Sequence, residues 1–492
     1  MTKRPNIIII NPDEMRWNTM GHMGNPAAST PNLDAFAQNE AVSFENAYCQ
    51  NPVCVPSRCS FFTGMYPHVN GYRTMHYLMH DGKDTLFAEL RKAGYKVWMN
   101  ARNDFIAANV PGAMASQFDE FHAYAPGKGI NARKGHGVIE GFPYSHYIGV
   151  VDEVTTDMED TLAACERIRR QKDEKDPLCL FIGWMNPHVP YVTDREHYDR
   201  IDPAKIPERV RYSETEGKSE MIRKLREFAD LSEFPEEKWK DLQRIYLAQC
   251  SYIDDMFGMI ISALKEAGIY DDTAVFFLSD HGDFAGDFDL PEKAQNSFED
   301  ILTKVPLLIK PPKGEAADPG KTSALTELVD FYATVMDYAG EEPGHDQFGV
   351  SLRPVIENRQ NPNRQYVFCE GGRRACEKQA DEYHKYGDAG PAKTSDYWAK
   401  MNAEADDDAH EKGTMICDGR YKYVLRLSGK DEFYDLKEDP QEKYNRIQEE
   451  RYASEILRLK LQMLKWYQET CDTVAREYDS RFLTEESIKK AE

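Results

Sequence analysis

Four short stretches of this chain end or interrupt apolar runs with side chains that can do chemistry. Pro5-Asn6-Ile7-Ile8-Ile9-Ile10-Asn11-Pro12 leads into Asp13 and Glu14, and Thr273-Ala274-Val275-Phe276-Phe277-Leu278-Ser279 leads into Asp280 and His281. Four consecutive Ile bounded by Pro and Asn-Pro predict a fully buried, parallel strand. Carboxylates directly after such a strand stand at its carboxyl end, where open α/β sheets place their ligands. Hard oxygen donors with one imidazole and no thiolate suit Ca²⁺, Mg²⁺ or Mn²⁺ better than Zn²⁺. A third stretch, Phe181-Ile182-Gly183-Trp184-Met185-Asn186-Pro187-His188-Val189-Pro190, holds an imidazole between two prolines on a rigid turn. The fourth is Cys54-Val55-Pro56-Ser57-Arg58, running through Cys59-Ser60-Phe61-Phe62 to Thr63-Gly64. A thiol followed by Pro, a small hydroxyl and Arg is ill suited to a buried core strand. Each stretch alone has a plainer reading: solvated acids at a strand end, a structural histidine, a cysteine acting as a small buried hydrophobe. Their occurrence as an ordered set argues for one shared site.

That set resembles the type I, formylglycine-dependent sulfatases of the alkaline phosphatase superfamily, with the signature Cys-x-Pro-Ser-Arg…Thr-Gly at Cys54–Gly64. The resemblance implies that Cys54 is oxidised to Cα-formylglycine by a maturation enzyme, and that the aldehyde hydrate attacks the sulfur of a sulfate ester. It implies a metal site of Asp13, Asp280, His281 and the group derived from Cys54. Glu14 stands where the family has a second Asp and is a further metal-ligand candidate. Ca²⁺ is the expected ion, with Mg²⁺ or Mn²⁺ as alternatives. Arg58 would orient and neutralise the nucleophile loop, while Lys293 and His188 would contact the substrate and its leaving oxygen. The chain departs from the family after Gly94-Tyr95, where Gly-Lys-x-His is usual. Arg102 matches the Lys position and keeps its charge, with a planar fork suited to two oxyanion oxygens. Asp104 falls at the His position, so the base is a carboxylate or lies elsewhere. The activity implied is hydrolysis of a sulfate ester. A phosphonate monoester or phosphodiester hydrolase on the same site is the alternative, and a non-catalytic anion- or glycan-binding relative is the reading if Cys54 stays unoxidised.

Composition narrows the partners. The 492 residues carry a formal charge of −23, from 61 basic and 84 acidic residues. That balance excludes a nucleic-acid partner, whose binding needs basic surface. It also disfavours a long polyanion, because repulsion slows encounter. A small-molecule or short oligosaccharide sulfate ester fits, bound in a local positive island of metal, Arg58, Arg102, Lys293 and His188. No signal-like apolar segment follows Met1-Thr2-Lys3-Arg4-Pro5, and no run approaches a membrane span. The ten cysteines lack paired spacing, which predicts a reducing, cytoplasmic setting. Nothing in the sequence sets an oligomeric state.

The elements that must position these residues read as an α/β fold. Strands at 5–10, 95–99, 178–184 and 274–278 alternate with helices at 34–41, 86–93 and 242–267. This predicts a large, mainly parallel sheet between helices, in agreement with the alkaline-phosphatase-like fold that the resemblance implies. Residues 1–355 are expected to form the catalytic α/β domain, and 356–492 a smaller C-terminal α+β subdomain with an antiparallel sheet. Within it, Glu432-Phe433-Tyr434-Asp435-Leu436, Asp439-Pro440 and Asn445 resemble the sulfatase closing motif, and a charged terminal helix follows from about residue 449. The polar stretch 194–240 is expected to be a helical excursion with a solvated charged face. An insertion at 371–413 is either a lid over the substrate or a surface loop. His76, a short distance after the nucleophile loop, is a further substrate-binding candidate.

Overall fold

The computed structural model describes residues 4–80, 82–123, 147–152, 154, 157–231, 234–375, 377 and 398–474. The four Ile of the first strand decide the architecture. Strand β1 (Asn6–Asp13) runs through the centre of an eight-stranded sheet and is buried along its whole length. The others are β2 (Val42–Phe44), β3 (Lys96–Ala101), β4 (Glu120–Ala123), β5 (Leu178–Pro187), β6 (Thr273–Leu278), β7 (Leu307–Lys310) and β8 (Gly320–Thr322), in the spatial order β8-β2-β7-β6-β1-β5-β3-β4. From β6 to β4 every pairing is parallel, as the apolar runs predict. Strand β7 breaks the pattern by pairing antiparallel with both β6 and β2.

Alternation along β1 sends its side chains to opposite layers. Ile7 and Ile9 pack with helix α2 (Cys54–Phe61) and later with α5 (Val329–Ala339). Ile8 and Ile10 face α1 (Pro31–Asn39), α3 (Met158–Arg170) and the long α4 (Glu236–Glu266). All four are fully buried, and each contributes about 1.5–3 kcal/mol. A strand covered on both sides has no polar face, which is why its sequence reads as an unbroken apolar run.

The register then explains the motifs. Ile10 pairs with Phe277 of β6, so three residues on Asp13 and Asp280 emerge side by side. On the other flank Asp13 is opposite Pro187 of β5, which brings His188 to the same edge. Glycine is required at two close approaches here. A Cβ on Gly282 would lie 1.9 Å from the carbonyl oxygen of Ile301, and one on Gly183 would lie 2.5 Å from that of Arg102.

After residue 356 the chain builds an antiparallel sheet of β9 (Val367–Gly371), β10 (Gly413–Cys417), β11 (Tyr421–Arg426) and β12 (Glu432–Asp435). Helix α6 (Ala453–Thr470) covers it with Ile456, Leu459, Met463 and Trp466, the last stacked on Phe368 at 4.3 Å. Residues 194–240 do form short helices, Arg195–Arg200 and Glu220–Ala229. The solvated face expected of their charges does not hold throughout. Lys218 is buried on Glu299 at 2.7 Å, and Arg209 is shielded against Asp289 and Glu236. Of the insertion, 376 and 378–397 lie outside the described residues, and 398–405 form a helix. No helix among the described residues is long and apolar enough to cross a membrane.

Candidate active site

Helix α2 begins at Cys54, and its spacing explains its motif. Residues three and four positions on share a helical face, so Ser57 and Arg58 point the same way as Cys54, toward the ends of β1 and β6. Ser57 Oγ donates to the carbonyl of Asp280 at 2.7 Å. Arg58 donates from Nη2 to Asp13 Oδ2 at 2.7 Å and from Nε to Asp280 Oδ2 at 2.8 Å, with all three side chains fully buried. One guanidinium thus bridges the two strand ends. It occupies the Oδ2 atoms and leaves both Oδ1 atoms turned toward Cys54 and His281.

His281 completes this group. Its Nδ1 lies 2.9 Å from the carbonyl of Gly282. A carbonyl can only accept, so Nδ1 carries the proton and Nε2 presents a lone pair. That lone pair faces Cys54 Sγ at 3.2 Å, Asp13 Oδ1 at 3.8 Å and Asp280 Oδ1 at 3.9 Å. Burial pushes the imidazole pKa down to about 4, which keeps it neutral. Burial also pushes Asp13 up to about 6, despite Arg102 nearby. At Asp280 burial is outweighed by the charge and hydrogen bond of Arg58, which hold the carboxyl below the usual range. At Cys54, burial and Asp13 push the thiol pKa up, so without a cation the side chain is a protonated thiol.

These donors fit a divalent cation. One ligand atom each from Asp13, Cys54, Asp280 and His281 lie within 4.8 Å of one another. The two carboxylates are the oxygen donors a hard cation takes, and the neutral imidazole adds one nitrogen lone pair. The neighbouring acids agree: burial pushes the Glu14 carboxyl well above the usual carboxylate range and Asp283 up to about 6, a crowding of buried acids that a divalent cation would offset.

Glu14 sits in left-handed backbone at φ 69°. Its N–H donates to Asp280 Oδ1 at 3.1 Å, and its carbonyl accepts from Tyr246 of α4 at 2.6 Å. Its carboxylate turns toward Lys293, with Nζ to Oε2 at 2.9 Å, while Oε1 has no hydrogen-bond donor among the described residues. Lys293 Nζ is also 2.7 Å from His188 Nε2. His188 Nδ1 is 2.7 Å from the carbonyl of Val189, so its proton is on Nδ1 and Nε2 accepts from the ammonium. Burial, then Lys293 and Arg102, hold the His188 pKa well below its ordinary value. Asp157 fixes the turn by accepting from the N–H groups of Met185 and Asn186, each at 2.8 Å.

Arg102 approaches from the end of β3, with Nε 3.1 Å from Asp13 Oδ2 and Nη2 3.9 Å from Cys54 Sγ. Asp104 is ion-paired to Arg102. Burial opposes its ionisation, but Arg102 and Arg58 outweigh it and keep its pKa low. Its described partner is therefore the arginine rather than the residue at position 54. His76 is exposed, with its N–H on Thr74 and its ring edge-on to Tyr77. Two participants had no signal in the sequence: Glu292, 3.4 Å from Lys293, and Lys400, 3.2 Å from Glu292.

The sequence profile of the Sulfatase family matches residues 5–341. The chain is 26% identical to a choline-sulfatase of Rhizobium meliloti, over 98% of its own length and 90% of that protein's. It is 24% identical to an arylsulfatase of Clostridium perfringens, over 94% of each chain. Its fold superposes on the crystal structure of a phosphonate monoester hydrolase of Agrobacterium radiobacter with a TM-score of 0.74 and 20% identity, covering 96% of this chain and all of that one. With the family profile spanning two thirds of the sequence and containing the strand ends just described, this chain belongs to the sulfatase family and is a sulfuric ester hydrolase.

Proposed function

We propose that the protein hydrolyses the sulfate ester of a small organic molecule or short sulfated sugar, with residue 54 acting as formylglycine. The observation that carries this is the convergence of Cys54 with Asp13, Asp280 and His281 at the ends of adjacent strands. Oxidised by a maturation enzyme and hydrated, position 54 would supply a hydroxyl nucleophile at the N-terminus of α2. A divalent cation, Ca²⁺ in preference to Mg²⁺ or Mn²⁺, would supply Lewis-acid polarisation of the sulfate and of that hydroxyl.

The roles of this chain's own residues follow from the geometry. Asp13, Asp280 and His281 would hold the cation, with Arg58 keeping the two carboxylates together in its absence. Glu14, engaged by Lys293, would border the cation rather than anchor it. Arg102 would receive the sulfate oxygens, since its Nη2 already reaches toward residue 54. Lys293 would give charge and a proton to the leaving oxygen, and His188 would hold that ammonium through Nε2. Asp104 would orient Arg102.

Cytoplasmic placement belongs to the same proposal. All nine cysteines among the described residues are free, eight of them buried, as suits a reducing compartment. Likeness to the phosphonate monoester hydrolase fold supports a second reading on the same residues, hydrolysis of phosphonate monoesters or phosphodiesters. The two separate in one experiment. Matured protein is assayed on 4-nitrophenyl sulfate, on sulfated monosaccharides and on a phenylphosphonate monoester. The sulfate esters are expected to show the higher kcat/KM. Preference for the phosphonate would assign the second reading.

A further inference from the structure

Lys293 is carried on a loop that does not hold its own shape. Phe288, Asp289, Glu292 and Asn296 all take positive φ, between 57° and 64°. Side chains other than glycine adopt such backbone only where surrounding structure fixes it. Much of that fixing comes from the far end of the chain. Asn296 Nδ2 donates to the carbonyl of Ala409 at 2.8 Å, and His410 Nε2 meets Gln295 Oε1 at 2.7 Å. Arg426 Nη2 donates to the carbonyl of Asn296 at 3.1 Å. Lys400, on the helix Trp398–Ala405, places Nζ 3.2 Å from Glu292 Oε1. The same Oε1 is 3.4 Å from Lys293 Nζ. Lys400, Glu292 and Lys293 are each at most 3% exposed.

A buried carboxylate between two ammoniums divides its attraction between them. Among the described contacts Lys293 meets Glu14 at 2.9 Å, His188 at 2.7 Å and Glu292 at 3.4 Å. The longest of these contacts is to the carboxylate that Lys400 shares. We propose that Lys400 is a positioning residue for the reaction: by engaging Glu292 it keeps Lys293 directed at His188 and at the leaving oxygen. Without Lys400, Glu292 draws the Lys293 ammonium toward itself and binds its protons more tightly. Proton delivery to the leaving oxygen then suffers, while sulfate binding does not. The inserted segment thereby acts on the leaving-group step rather than as a decorated loop. The inference rests on the reading of Lys293 as the leaving-group donor.

The test is the dependence of kcat on the leaving group. A 4-nitrophenolate departs without a proton, whereas the alkoxide of an alkyl or sugar sulfate needs one. In protein matched for formylglycine content by peptide mass, Lys400→Met should lower kcat on an alkyl sulfate by about tenfold to a hundredfold, the scale of a charge-assisted contact. It should lower kcat on 4-nitrophenyl sulfate by less than about threefold and leave KM nearly unchanged. Lys400→Arg should restore the alkyl sulfate rate. Adding Glu292→Gln to Lys400→Met should recover part of it, because the competing carboxylate is gone. Equal losses on both substrates, or a Lys400→Met protein with wild-type rates, would overturn the proposal. Lys293→Ala separates the two levels. If it steepens the leaving-group dependence and Lys400→Met does not, the role of Lys400 falls and that of Lys293 stands. If neither steepens it, both fall.

Discussion

The two halves of the site are built in opposite ways. The nucleophile half, Cys54 with Asp13, Arg58, Asp280 and His281, sits where regular elements end: two neighbouring parallel strands and the first turn of a helix. Its side chains are fully buried and its backbone follows from strand register and helical spacing. The leaving-group half, Lys293 with His188 and Glu292, sits on turns and left-handed backbone held by distant segments. The first half is rigid because secondary structure fixes it. The second is only as rigid as its tertiary clamps, and that difference sets which substitutions harm stability and which harm only turnover.

The largest effect is expected in the nucleophile half. Arg58→Ala leaves Asp13 and Asp280 buried without their shared counter-charge, which should cost about 3–5 kcal/mol of stability. Urea unfolding measures it. Millimolar Ca²⁺ should return part of the loss, because a cation that binds only the folded state stabilises it. A midpoint unchanged from wild type would show that the bridge is dispensable to the fold. Next in size is metal removal. Chelation should reduce turnover by at least about a thousandfold, and Asp280→Asn should do the same while also lowering the unfolding midpoint, because it removes one of the two buried counter-charges of Arg58. Retained activity in chelated protein would dismantle the cation assignment.

Arg102 touches the nucleophile half at Asp13 and its charge also acts on His188, so its substitution sharpens the comparison. Arg102→Ala should lose about tenfold to a hundredfold in kcat/KM, and Arg102→Lys much less, because charge is kept and only the fork is lost. Equal losses from both would mean that geometry, not charge, is what the position supplies. The smallest effect belongs to Asp104. Paired with Arg102 and held ionised, it should tolerate replacement by Asn with a loss under about tenfold and a steady progress curve. A burst of product followed by a stall would instead make it the base for the second half-reaction.

What the sequence revealed follows the same division. The central strand, the parallel sheet and the acids at its strand ends were legible because local rules produce them, four Ile between breakers followed by carboxylates, whereas Cys54, Ser57 and Arg58 were legible through the resemblance of their pentapeptide to the sulfatase signature. Arg102 was legible from its match to the lysine position of the family's Gly-Lys-x-His run. Lys400 and Glu292 were not, because no local pattern links residues more than a hundred positions apart; only the fold brings them together. The charges at Arg209 and Lys218 were misread as solvated for a related reason, since a polar stretch shows nothing of the acids it will meet. The antiparallel pairing of β7 was likewise hidden, as a short apolar strand carries no mark of its direction.

The most direct measurement is the intact mass of the peptide containing Cys54, taken from protein co-produced with a maturation enzyme and paired with its turnover of 4-nitrophenyl sulfate. The expected result is a mass in which H₂S has been replaced by oxygen, a hydrazine-reactive aldehyde at position 54, and a rate proportional to the modified fraction across preparations. Cys54→Ala should fold and bind the cation without turnover. Full activity from protein whose position 54 is entirely unmodified cysteine would contradict the proposal that a formylglycine at this site performs the hydrolysis.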